Sequence, residues 1–158
     1  MSMTISEAGS PVKSSSQFTV LIVDDNRDFV EFLKFLLAHD GFTVCWAFNG
    51  PDGLESVRNQ SLDVVILDVM MPKMDGLAVC REIKRLCPSL PVILLTAKDD
   101  MATRLAAMTL GVSEFLAKPV NIEDLLTRVR TQCQISQWEK SLEVAFAGKG
   151  QLPTEPLK

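Results

Sequence analysis

The chain has 158 residues, which suits one ordinary domain with short flanks rather than two full domains. Hydrophobic residues make up 47% and charged residues 23%, so a packed core is attainable and wholesale disorder is excluded. A net charge of -4 without a basic run argues against nucleic acid as a direct partner. No stretch has the apolar length of a membrane span, residues 1–17 lack the apolar middle of a signal peptide, and a cytoplasmic protein is expected.

Residues 1–17 (MSMTISEAGSPVKSSSQ) are rich in serine and small residues and read as a disordered leader. Phe18–Val23 then reads as a buried strand. Phe29, Phe32, Leu33, Leu36 and Leu37 recur at helical spacing, and Gly41 is placed to end that helix. Phe42–Phe48 is a second strand, Gly50–Asn59 a short helix carrying Leu54 and Val57, and Leu62–Leu67 a nearly all-aliphatic third strand. The loop Met71–Gly76 leads into a helix with Leu77, Cys80, Ile83 and Cys87 on one stripe. Pro91–Leu95 is a fourth strand. An Ala- and Met-rich helix over about 100–110 stops at Gly111, with Met101 and Met108 expected to pack beneath it as gap fillers. Val112–Ala117 is a fifth strand. The last helix starts near Asn121 and lines up Ile122, Leu125, Leu126, Val129 and Cys133.

Strands this apolar must be buried on both faces, so the alternation predicts a doubly wound α/β fold: a five-stranded parallel sheet with five helices, in the flavodoxin-like order 2-1-3-4-5. Cys45, Cys80, Cys87 and Cys133 form no C-x-x-C pair, and His39 alone could assist them. Zinc is therefore set aside, and the cysteines are read as buried thiols.

In such sheets the site lies beyond the carboxyl ends of the strands. The first strand ends in Asp24-Asp25, the third in Asp68, the fourth in Thr96 and the fifth in Lys118. Three neighbouring carboxylates repel one another unless a cation or protons intervene, and Mg²⁺ commonly binds a few carboxylates with phosphate oxygens and water. This set suits a carboxylate nucleophile attacking phosphorus. Lys118 supplies charge to the phosphoryl oxygens, and the Thr96 hydroxyl a hydrogen bond. Each residue also has a plainer reading: Asp24-Asp25 as a helix cap, Asp68 as a turn former, Thr96 as a cap, Lys118 as a solvated charge. Those readings would have to coincide at four strand ends. His39, in the last turn of the first helix, is read as a dipole-favoured terminal residue rather than a phosphorelay histidine.

Over residues 18–135 the chain resembles the receiver domain of two-component response regulators. The resemblance rests on Val23-Asp24-Asp25-Asn26, the run from Leu67-Asp68 to Asp75-Gly76, Leu95-Thr96-Ala97 and Phe115–Pro119. It implies a phosphorylation-controlled switch in which Asp68 accepts a phosphoryl group from a histidine kinase phosphohistidine. It further implies that Asp25, Asp68 and the backbone carbonyl of Met70 ligate Mg²⁺ directly, with Asp24 acting largely through water. Thr96 and Phe115 fall at the family's switch positions, and the Lys118–Pro119 bond is expected to be cis. Met70 and Lys98, two residues beyond Asp68 and Thr96, are expected to tune the phosphoryl lifetime.

Two other functions compete with this reading. A haloacid-dehalogenase-like phosphatase needs a second Asp two residues past its nucleophile, where this chain has Met70. A flavodoxin-like flavin carrier needs a hydroxyl- and glycine-rich phosphate loop, which Asp24-Asp25 replaces with charge. The expected organisation is a leader (1–17), a receiver domain (18–137) and a C-terminal helical extension and tail (138–158). It is not an enzyme on an outside substrate; weak autodephosphorylation is its only expected turnover. Expected partners are a sensor histidine kinase or phosphotransfer protein and a downstream effector protein or domain, with no DNA-binding output encoded in residues 138–158. Two surfaces are open to a second copy: the face of the fourth helix, fifth strand and fifth helix, and the extension, where Ile135, Trp138, Leu142 and Phe146 continue at helical steps.

Overall fold

The central aliphatic runs are buried on both faces and form the middle of one parallel sheet, whose edge strands Thr43–Ala47 and Glu114–Lys118 are only partly covered. In this computed structural model, which describes residues 4–5, 11–12, 17–73, 75–97, 99–112 and 114–148, the strands are β1 (Thr19–Val23), β2 (Thr43–Ala47), β3 (Val64–Asp68), β4 (Val92–Ala97) and β5 (Glu114–Lys118). The order across the sheet is β2-β1-β3-β4-β5, all parallel. The helices are α1 (Arg27–His39), α2 (Gly50–Asn59), α3 (Gly76–Leu86), α4 (Met101–Thr109) and α5 (Ile122–Gly148).

Alternation along the strands divides the core. Val20, Ile22, Ile66, Ile93 and Leu95 pack with Leu33 and Leu37 of α1 and Leu125 and Val129 of α5. Leu21, Val65, Leu67, Val92 and Leu94 pack with Val79, Cys80 and Ile83 of α3 and with Ala107 of α4. Each fully buried Leu or Ile contributes about 1.5–3 kcal/mol, so truncating Ile66 to Ala is expected to cost about 2–5 kcal/mol.

The helix starts are set by short polar side chains. Asn26, Asn49, Asp75 and Asp100 each accept from backbone N–H groups of the turn they open. Gly41 ends α1 at φ 97°, a conformation that costs residues with a Cβ more. Gly76 opens α3 against the chain that leaves β3; a Cβ there would collide with Val69 Cα.

Several expectations change. Met101 and Met108 do not pack beneath α4: they are 62% and 57% exposed, and Ala107 is the helix's buried residue. The small Ala107 seats the helix on the sheet, so Met101, Leu105 and Met108, spaced by four and three, point outward together. In α3 the buried residues are Gly76, Val79, Cys80 and Ile83, while Leu77 and Cys87 are half-buried beside them. Of the four cysteines, Cys80 and Cys133 are buried and Cys45 and Cys87 only partly so. α5 continues past its core stripe as one helix of 27 residues. Thr4–Ile5 pairs antiparallel with Pro11–Val12; otherwise, apart from Gln17, the expected disordered leader lies outside the described residues, as does the tail past Gly148. Among the described residues, no helix is long and apolar enough to cross a membrane.

Candidate functional site

Strand register brings the polar residues to one edge. Val23 pairs with Leu67, and Asp68 with Leu95, so Asp24 and Asp68 leave adjacent strands at nearly the same level. Asp24, Asp68 and Lys118 continue the strand positions that face α1 and α5, whereas Thr96 and Phe115 continue those facing α2 to α4. The polar edge is thus split between the two faces of the sheet.

On the first face, one ligand oxygen from each of Asp24, Asp25 and Asp68 lies within 4.8 Å of the others. Asp24 and Asp68 are buried, and Asp25 is exposed. The two buried carboxylates are held alike. Asp24 Oδ1 accepts from the Asn26 N–H at 2.9 Å, and Asp68 Oδ1 from the Met70 N–H at 2.8 Å. The remaining oxygens share Lys118, whose Nζ donates to Asp68 Oδ2 at 2.9 Å and to Asp24 Oδ2 at 3.3 Å. That ammonium also sits 5.2 Å from the centroid of the Phe29 ring.

The charges do not balance, because three carboxylates face one lysine. Burial, helped by the neighbouring Asp68 charge, raises Asp24 from 3.8 to about 6, against the opposing pull of the Asn26 N–H and Lys118. Burial alone would lower Lys118. Its hydrogen bond to Asp68 and the charges of Asp24 and Asp68 outweigh that, and its pKa is raised. The donor set is all carboxylate oxygen with surplus negative charge at a solvent-open mouth, which fits a hard divalent cation.

On the second face, Thr96 is buried and its Oγ1 accepts from Arg104 Nε of α4 at 3.4 Å. Phe115, paired with Leu94, is half-buried against the α3 and α4 side of the core. Met70 lies half-exposed at the rim, Lys98 lies outside the described residues, and the Lys118–Pro119 bond is cis. Sequence reading missed Arg104, the Phe29 ring under Lys118, and buried Asp63 at the opposite end of β3. The helical pattern could have flagged Phe29; nothing in the residue types singles out Arg104.

A fold of this order with an acid cluster at its strand ends defines the class. The family model for the response regulator receiver domain matches residues 20–130, and the chain belongs to that family. Response regulator MprA of Mycobacterium ulcerans (strain Agy99) is 40% identical over 111 residues, 70% of this chain and 48% of that protein. MprA of Mycobacterium avium (strain 104) is 34% identical over 138 residues, 87% of this chain and 60% of the relative. The chain thus spans about half the length of the curated relatives it matches, 48% in the first case. Among solved structures, a response regulator receiver domain protein from Clostridium thermocellum superposes with a TM-score of 0.71 at 36% identity, covering 77% of this chain and 98% of that one. A response regulator from Burkholderia pseudomallei, solved with a phosphorylated aspartic acid, calcium ion and citrate, gives 0.67 at 28% identity, covering 80% and 75%. The chain is a response regulator receiver domain, a signalling module; the flavin-carrier and dehalogenase-like readings are not favoured.

Proposed function

We propose that this chain is a phosphorylation-controlled switch in which Asp68 accepts a phosphoryl group from a histidine kinase or phosphotransfer protein. The observation that carries this reading is the pocket in which Asp68 shares Lys118 with Asp24, while Asp25 completes a cluster of ligand oxygens. The phosphorylated aspartic acid and divalent ion of the Burkholderia pseudomallei relative support it.

An Asp68 oxygen attacks phosphorus of the donor phosphohistidine; the new P–O bond forms as the P–N bond breaks, and the electron pair returns to the imidazole. Lys118, already bridging Asp68 and Asp24, follows the negative charge onto the phosphoryl oxygens. Asp25, Asp68 and the Met70 carbonyl, with Asp24 through water, would hold Mg²⁺, which would offset the charge that otherwise opposes the donor's approach. Thr96 donates its hydroxyl proton to a phosphoryl oxygen, and Phe115 turns into the space that Thr96 leaves, re-presenting the α4, β5 and α5 surface to an effector. Met70, and Lys98 with it, govern the approach of hydrolytic water, so autodephosphorylation is slow. Residues 18–137 form the receiver, and the helix beyond it is a coupling arm. Trp138, 69% exposed, with Leu142 and Phe146 offers an edge to a second copy.

Incubation with acetyl phosphate and Mg²⁺ should add one phosphoryl mass to the wild type and none to Asp68→Asn. Equal labelling of both would overturn the assignment.

A further inference from the structure

Arg104 links α4 to the site. It lies on the second turn of α4, half-buried, and its Nε reaches the hydroxyl of buried Thr96 at 3.4 Å. A guanidinium has donors only, so toward Arg104 the Thr96 oxygen is the acceptor. The same arginine is fixed at its base. Asp100 caps α4 through two hydrogen bonds from Thr103, and Arg104 N–H donates to the Asp100 carbonyl at 3.3 Å. The Asp100 carboxylate is held below its ordinary range, by the Thr103 bonds first and by the charge of Arg104 in a smaller part. Arg104 is therefore tied to the start of α4, and Thr96 is tied to Arg104.

We infer that Arg104 is a positioning residue that restrains Thr96 on the α4 side of the sheet in the unphosphorylated state. The inference rests on the reading of Asp68 as phosphoacceptor. Thr96 stands on the face opposite Asp24, Asp68 and Lys118, so serving a phosphoryl group at Asp68 takes its hydroxyl away from α4. A bond of 3.4 Å is already at the outer limit of hydrogen-bond geometry, and that movement breaks it. The restraint is weak, and it acts against activation: the free energy that holds Thr96 to Arg104 must be recovered from the phosphoryl contact. Breaking the bond removes this polar tie between α4 and the strand while Ala107 keeps the helix seated, which gives α4 a route to respond alongside Phe115.

The test is the affinity of the full chain for beryllofluoride with Mg²⁺, an acyl-phosphate mimic, followed by NMR. Arg104→Met keeps the alkyl stem that packs on the domain and removes every donor. It should bind beryllofluoride about threefold more tightly, the scale of one weak hydrogen bond, and shift unliganded Phe115 resonances toward their loaded positions. In a Thr96→Ala background the same substitution should have no effect, since the partner is gone. Equal or weaker binding by Arg104→Met overturns the restraint. So does tighter binding that persists undiminished with Thr96→Ala. A wild type that takes up no beryllofluoride would instead bring down the phosphoacceptor reading itself, and this inference with it.

Discussion

Strand β3 is flanked by Asp63, just before it, and ends in Asp68; both are buried with a lysine beside them, yet their surroundings differ. At the amino end, Asp63 Oδ2 accepts from the Thr19 N–H at 2.8 Å, and Lys140 of α5 stands 3.4 Å from Oδ1. An ammonium and an N–H meet this carboxylate, and the arrangement ties β1 and α5 to the strand. At the carboxyl end, Asp68 shares its lysine with Asp24, and exposed Asp25 adds a third negative group. A buried acid whose charge is matched holds its partners in place; buried acids in excess hold charge that an added cation or proton relieves. Burial by itself is no guide to which end is the site.

The largest contrast is expected from replacing each aspartate. Asp68→Asn should abolish labelling by acetyl phosphate, whereas Asp63→Ala should keep labelling and lose about 1–3 kcal/mol of stability, because the Thr19 N–H is left unpaired. Loss of labelling in folded Asp63→Ala, read by mass spectrometry beside a denaturant melt, would erase the distinction.

Surplus charge at the carboxyl end should also appear in pH dependence. Asp24 titrates near 6 in the folded chain, against 3.8 ordinarily. The native state then keeps a proton that the unfolded chain has lost, so the stability from this group is fully present below about pH 4 and fades as pH rises through about 6. In metal-free buffer, subtracting the profile of Asp24→Asn from that of the wild type should isolate this fall, and Mg²⁺ should flatten it by keeping Asp24 ionised. A difference profile that is level between pH 4 and 6 would show the charge to be balanced already.

A smaller effect is expected at the rim. Met70→Asn places an amide where the thioether now offers water no orientation, and the decay of phosphorylated chain should quicken a few-fold. An unchanged half-life would remove Met70 from the account. The smallest change belongs to the amino end: Lys140 is about half exposed, so Lys140→Met should cost no more than about 1 kcal/mol by thermal melt. A larger loss would mean that this ion pair, rather than the buried faces of Leu125, Val129 and Cys133, secures α5.

Much of the architecture was legible in the chain. Five apolar runs ending in polar residues, with helical stripes between them, lead to a doubly wound sheet because central strands apolar on both faces must be covered on both. Asp24, Asp25, Asp68, Thr96 and Lys118 were legible for the same reason, since topology sends every strand end to one edge. Packing was not. Whether Met101 and Met108 lay under α4 depended on how closely the helix approaches the sheet, and the small Ala107 decided it.

What only the tertiary structure decided is how the polar groups pair. Sequence places Asp63 and Asp68 five residues apart at the two ends of one apolar run and cannot tell how the charge of each is met. That depends on Lys140, Lys118 and Asp24, which lie 77, 50 and 44 positions from their respective partners Asp63, Asp68 and Asp68. It likewise depends on the face each residue takes, which sets Thr96, with Arg104 beside it, apart from Asp24 and Asp68. Residue type and local spacing act over a few residues, while the energy of a buried charge is set by whatever the whole fold brings within a few ångströms of it.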